Sequence, residues 1–172
     1  MTKPFPDARM PADGLIALAT HAASFMDFET VTDCWNILRA RSRVRPVRRL
    51  EQAVARLRAA PVEWLDVARS VCARFHRTAR GNHHLYAVLL EGFVAKGRFG
   101  IYIGESRYTP ERRFAQHLEG VRASGVVQRR GITLLPSLVA HLNPLDRKEA
   151  KELESELARA LKAAGIETRG GH

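Results

Sequence analysis

Arg113 and His117 stand four residues apart, so on a helix they project from the same side. An arginine offers a planar fork of donors that fits two oxygens of one phosphate, and a histidine beside it adds a hydrogen bond or a proton-transfer group. Further along the chain, Glu154 falls at the edge of an apolar stripe. A carboxylate at such a boundary can reach into a cleft while its helix stays packed. One carboxylate, completed by waters and phosphate oxygens, is a usual way to hold Mg²⁺. Tyr86 and Tyr102 lie in two apolar runs of strand length. A tyrosine on a strand beside a cleft can orient or deprotonate an attacking water. Taken singly, each of these residues also has an ordinary structural explanation: a basic helix face, a surface glutamate, a buried aromatic. Their order along the chain is what gives them weight.

The elements that must position them can be read from periodicity. Residues 84–91 (HLYAVLLE) and 99–105 (FGIYIGE) are rich in apolar, aromatic and β-branched side chains. Gly92 and Gly97 bracket the connection between them, which predicts a β-hairpin. Thr109-Pro110-Glu111 predicts a helix start with Thr109 as N-cap, and Phe114, Leu118 and Val121 are expected on its core face. A short helix is expected over residues 124–130, stopping at Gly131, and a third strand over 132–135. The last helix should run from an N-cap at Asp146 to Gly165, with Ala150, Leu153, Leu157, Leu161 and Ala164 on one face. Glu149 then falls at the opposite edge from Glu154, and Glu152 points to solvent. A short strand is expected over 166–168.

A hairpin with a tyrosine on each strand, the second in Tyr102-Ile103-Gly104, comes first. A helix presenting Arg113 and His117 follows, and then a helix carrying Leu153-Glu154-Ser155-Glu156-Leu157. This order resembles the GIY-YIG nuclease family over residues 84–172, about half of the chain. His84-Leu85-Tyr86 aligns with the first motif of that family and keeps only its tyrosine. Tyr102-Ile103-Gly104 matches the second motif well. The gap between the two motifs is longer than usual, and Arg113 sits one position later than usual, which leaves Arg112 as a competitor. No asparagine follows Glu154, where family members often carry one. The resemblance implies an α+β fold, a small antiparallel β-sheet flanked by helices. It also implies hydrolysis of phosphodiester bonds in DNA with one divalent ion, Mg²⁺ or Mn²⁺. Glu154 would bind the metal, and Tyr86, with help from Tyr102 or His117, would activate the water. Arg113 would stabilise charge on the phosphate.

The preceding half reads differently. Residues 1–13 carry three prolines and few large apolar groups, which suggests a loose tail. Residues 14–81 have helical periodicity: Leu15, Leu18 and Ala22 on one helix, and Val31, Cys34, Trp35 and Leu38 on the next. Pro46 is read as an interruption before a helix with Leu50, Val54 and Leu57. Pro61 is read in the first turn of a further helix, with Val62, Leu65, Ala68, Cys72 and Phe75 facing a core and Gly81-Asn82 ending it. Two domains are therefore expected, a helical region over 1–81 and a nuclease-like domain over 82–172.

Across its 172 residues the chain carries a formal net charge of +10, which favours a polyanionic partner: DNA, duplex or branched, with RNA also possible. Arg39, Arg41, Arg43, Arg45, Arg48 and Arg49 form the densest basic run. They read either as a phosphate-contacting strip, to which Arg112 could add, or as a solvated linker, and without a base-reading motif they would not specify sequence. Hydrophobic residues make up 45% of the chain, enough for a core, so global disorder is not expected. Cys34 and Cys72 form no disulfide framework and read as buried apolar residues, although a zinc site from Cys72, His76 and His83 can be drawn. No signal peptide or membrane-spanning run is evident, so a cytoplasmic protein is expected. A catalytically inactive nucleic-acid-binding module on the same scaffold is the alternative to the nuclease. A helical adaptor with an accidental motif match is a third possibility.

Overall fold

The computed structural model describes residues 6–93 and 98–171. The chain divides into two compact units, Met1–Leu65 and Asp66–His172. The boundary expected between residues 81 and 82 falls inside the second of these.

Three helices build the first unit: α1 (Ala12–Ser24), α2 (Phe28–Ala40) and α3 (Val44–Ala55). Asp27 caps α2 by accepting a hydrogen bond from the Thr30 N–H at 3.2 Å, which satisfies one of the free donors of the first turn. Val31, Cys34, Trp35 and Leu38 are all buried, as their spacing predicts. On α1 the buried set is Leu15, Ala19, Ala22 and Ala23 rather than one that includes Leu18. Pro46 does not separate two helices; it lies within the first turn of α3, where its missing N–H has no intrahelical acceptor to lose. Leu50 and Val54 are buried, but Leu57 lies past the helix end and is exposed. Pro61 belongs to a non-helical stretch. The Val62 N–H there donates to the Thr32 hydroxyl at 2.9 Å, so a side chain of α2 takes the place of a helical acceptor.

The next helix, α4 (Leu65–Cys72), stops well short of Gly81-Asn82. Residues beyond it are tied to the C-terminal part of the chain. Glu149 accepts from the Thr78 N–H, from the Thr78 hydroxyl at 2.9 Å and from the Ala79 N–H at 3.0 Å. Arg77 donates to the Asn143 carbonyl at 2.8 Å. His83 and Leu145 exchange both backbone hydrogen bonds. These ties explain why residues 66–81 belong with the second unit, although their periodicity continues that of the helices before them.

The second unit is α+β. Its four-stranded sheet has the order β3-β1-β2-β4, from β1 (His84–Phe93), β2 (Arg98–Ser106), β3 (Gly131–Leu134) and β4 (Thr168–Gly170). β1 pairs antiparallel with β2 and with β3, as a hairpin and its neighbour should. β4 joins β2 in parallel, so the sheet is mixed rather than purely antiparallel. The reason is topological: a parallel neighbour needs a long crossover, here the chain through α5 (Pro110–Leu118), α6 (Gly125–Arg130), α7 (Pro136–Val139), a 3₁₀ turn (Ala140–Leu142) and α8 (Arg147–Ala163). Gly97, expected to bracket the hairpin loop, lies outside the described residues.

Register and the alternation of side chains along a strand place Tyr86, Val88 and Leu90 of β1 beside Tyr102 of β2 in one buried cluster. Val127 completes it, and Phe114, Val126 and Leu134 pack against it. On α5, Leu118 is 51% exposed and Val121, beyond the helix, 48%. Neither is a core residue, and His117, fully buried, takes that place. α8 begins at the Asp146 N-cap, which accepts from the Lys148 N–H at 2.8 Å, and gives way to Gly165 at φ +84°. Its buried face is Ala150, Leu153, Glu154, Leu157, Ala158 and Leu161; Ala164 is exposed, beyond the last full turn. Both cysteines are free and buried, and burial pushes their thiols up, to about 12 for Cys34 and about 11 for Cys72. Among the described residues no three His, Cys, Asp or Glu side chains gather to hold a metal, so Cys72, His76 and His83 make no zinc site. No helix among them is long and apolar enough to cross a membrane.

Candidate active site

The two strand tyrosines and the helix histidine meet. The Tyr86 and Tyr102 ring centroids are 6.0 Å apart, and His117 lies 5.8 Å from the first and 6.0 Å from the second. Tyr86 is directly opposite Gly104 in the β1–β2 ladder, and the glycine makes this possible. A Cβ at position 104 would stand 2.5 Å from both Cζ and Oη of Tyr86, and 2.7 Å from Cε1 of Tyr102. The glycine of the second motif therefore provides the space into which the tyrosine of the first motif lies.

His117 is held at both ring nitrogens. The Ser124 N–H donates to Nδ1 at 2.9 Å, so Nδ1 must carry the lone pair and Nε2 the proton. Nε2 lies 2.9 Å from the Tyr86 hydroxyl oxygen, so the histidine donates and the tyrosine oxygen accepts. Burial, with the Arg113 cation adding to it, lowers His117 from the ordinary 6.5 to about 4. At neutral pH it is an uncharged imidazole that hands one N–H to Tyr86.

Tyr86 keeps its own proton, because burial pushes the phenol upward and the nearby Tyr102 adds to this. Arg113 works against them, through its charge and through a hydrogen bond to the Tyr86 hydroxyl. Burial likewise raises Tyr102; a hydrogen bond from Tyr86 opposes the shift and the charge of Glu154 reinforces it. The Tyr86 oxygen is thus ringed by donors, a histidine N–H and a guanidinium, that would favour a phenolate once a proton left.

Arg113 and His117 do emerge from one side of α5. The competitor Arg112 does not reach the cluster: its guanidinium stacks on Tyr108, 4.6 Å from the ring centroid. Arg113 is itself braced, donating to the Arg122 carbonyl at 2.8 Å and, more weakly, to the Val121 carbonyl and the Gln116 side chain. A phosphate there would meet a guanidinium whose orientation is already set.

Glu154 is 8% exposed on α8. The Gly171 N–H approaches its Oε1 at 3.4 Å, and its charge reaches Tyr102. A single buried-edge carboxylate, where the described residues gather no group of three His, Cys, Asp or Glu side chains, suits an ion that keeps most of its waters. Mg²⁺ or Mn²⁺ fits that donor set, and a thiolate- or imidazole-seeking ion does not.

The basic run in the first unit is less uniform than its sequence suggests. Arg39 lies over the Trp35 ring at 4.4 Å, Arg41 donates to the Ala8 and Met10 carbonyls, and Arg49 pairs with Asp13 at 2.9 Å. Arg43, Arg45 and Arg48 are exposed.

Two contributors escaped the sequence reading. One is the Ser124 backbone, whose contact with His117 spans a loop and leaves no periodic signal. The other is Asn143. Its side chain accepts from the Leu85 N–H and donates to the Leu85 carbonyl, both at 2.8 Å, clamping β1 one residue before Tyr86. The Asn143-Pro144 pair was the available hint, since such pairs mark turns. The chain matches no known family model, no curated protein and no solved structure.

Proposed function

We propose that residues 84–172 form a metal-dependent endonuclease that hydrolyses phosphodiester bonds in DNA, in keeping with their resemblance to GIY-YIG nucleases. The observation that carries this reading is the buried set of Tyr86, Tyr102 and His117, joined by the half-buried Arg113 and with Glu154 at its edge. Burying so many polar groups costs stability unless each is partnered, and an apolar core would have served the fold as well. Arg113 would bind the phosphate, and the Tyr86 hydroxyl would orient the attacking water. The His117 N–H and Arg113 would hold the Tyr86 oxygen in place for that water. A divalent ion at Glu154 would supply charge to offset the phosphate and leaving oxygens. The excess of basic residues supports a nucleic-acid substrate, with Arg43, Arg45, Arg48 and Arg112 as candidate phosphate contacts.

The test is incubation with supercoiled, linear and branched DNA, with and without Mg²⁺ or Mn²⁺, beside Glu154→Gln. Metal-dependent cutting by the parent and a loss of about 100-fold or more in the variant are expected, as for removal of a group that stabilises the transition state. A second reading, a scaffold that binds nucleic acid without cutting it, is favoured by the near-complete burial of Tyr86 and the first-motif change. Salt-sensitive binding by both proteins with no cutting by either would select it.

A further inference from the structure

We propose that the groove between α8 and β4 is a subsite for the phosphate backbone of a DNA strand running past Glu154. The inference rests on the nucleic-acid reading above and adds where the strand goes. The groove has a volume of about 360 Å³ and is lined on one side by Ser155, Ala158, Arg159 and Lys162 and on the other by Thr168, Gly170 and Gly171. The α8 residues recur at helical spacing and so form one wall. Arg159 and Lys162 are exposed, and among the described residues neither has an acidic partner.

Three nearby acids are held elsewhere, and Glu156, one turn before Arg159, is exposed and makes no ion pair with it among the described residues. Glu149 holds Thr78 and Ala79, Glu152 faces Lys148 at 3.8 Å, and Glu167 pairs with Arg169 at 2.8 Å. The groove therefore presents two cations, Arg159 and Lys162, without a direct acidic partner among the described residues. Its far wall carries no bulk, since Gly170 and Gly171 sit at φ +88° and +77°, a region that favours glycine. A Cβ on Gly171 would stand 2.6 Å from that of Ala158. Continuity with the cluster comes from Gly171, whose N–H approaches Glu154, and from Ser155, the next residue on the helix. A polyanion leaving the Glu154 edge would enter the groove and meet Arg159 and then Lys162.

The experiment measures binding of a short DNA duplex across a KCl series in EDTA, so that neither metal nor cutting contributes. The parent is compared with Arg159→Gln/Lys162→Gln and with Lys148→Gln/Lys151→Gln, a control that removes the same charge from α8 outside the groove. Each lost phosphate contact lowers the slope of log K against log salt by about one. The groove pair should lower it by about two, which at about 0.1 M salt is about 100-fold in affinity. A groove pair no more damaging than the control pair overturns the proposal, even if the parent cuts DNA. Displacement of the duplex by inorganic phosphate, beyond what KCl of equal ionic strength achieves, would make this a small-anion site and would also overturn it. Loss of about two slope units in a protein that never cuts would support the groove while removing the nuclease.

Discussion

Lowering the pH should weaken the unit that holds His117, and the size of the effect follows from the ring's surroundings. The side chain is fully buried, its Nδ1 accepts from the Ser124 N–H, and its pKa falls from 6.5 to about 4. A proton on Nδ1 would face another donor. The unfolded chain therefore takes up the proton more readily than the folded one. Stability from this source is complete above the unfolded value of 6.5, declines as the pH falls, and is lost by about pH 4. One pKa unit corresponds to about 1.4 kcal/mol, so the full loss is on the order of 3 kcal/mol, with about 1.4 kcal/mol gone by about pH 5.5. His117→Gln removes the titration while leaving an amide in the space. Urea unfolding of both proteins at several pH values, followed by far-UV circular dichroism, isolates the histidine, because the carboxylates common to both cancel. Tryptophan fluorescence would follow the other unit, since Trp35 and Trp64 both lie within Met1–Leu65. The stability gap between parent and variant should shrink as the pH falls from about 7 to about 4.5. A gap that stays constant would mean that His117 is protonated normally in the folded protein, and the assigned tautomer and the N–H donated to Tyr86 would fall with it.

Gly104→Ala should destabilise the same unit by about 1–3 kcal/mol through overpacking against the Tyr86 ring. On the nuclease reading proposed above, cleavage should fall further than stability explains, because Tyr86 is the group displaced; thermal melting beside a nuclease assay below the melting point separates the two, and an unshifted melting temperature would contradict the close approach. Asn143→Ala removes both side-chain bonds to Leu85 and strands a donor and an acceptor, each costing about 1–3 kcal/mol if left unpaired. Faster hydrogen exchange at the β1 amides is the expected signature, and unchanged exchange there would show that water replaces the clamp.

Local signals in the sequence sufficed for the elements that carry the site. The apolar runs around Tyr86 and Tyr102, the Thr109-Pro110 helix start and the Asp146 cap depend on neighbours a few residues away, and each appears where those neighbours place it. The meeting of Arg113 and His117 on one side of α5 was legible for the same reason, since four residues are one helical turn. Partnerships across long stretches of chain were not legible. Periodicity gives no warning that Glu149 would hold Thr78 and Ala79 and so draw residues 66–81 into the second unit, or that Asn143 would clamp Leu85. It equally hides the choice between Leu118 and His117 as the buried residue of α5: hydrophobicity favours leucine, and only a hydrogen-bond partner at each ring nitrogen lets a histidine occupy the core. The parallel arrival of β4 beside β2 was likewise a tertiary decision, since a three-residue strand gains its place from the sheet edge it meets and from the helix packed beside it, not from any preference of its own residues.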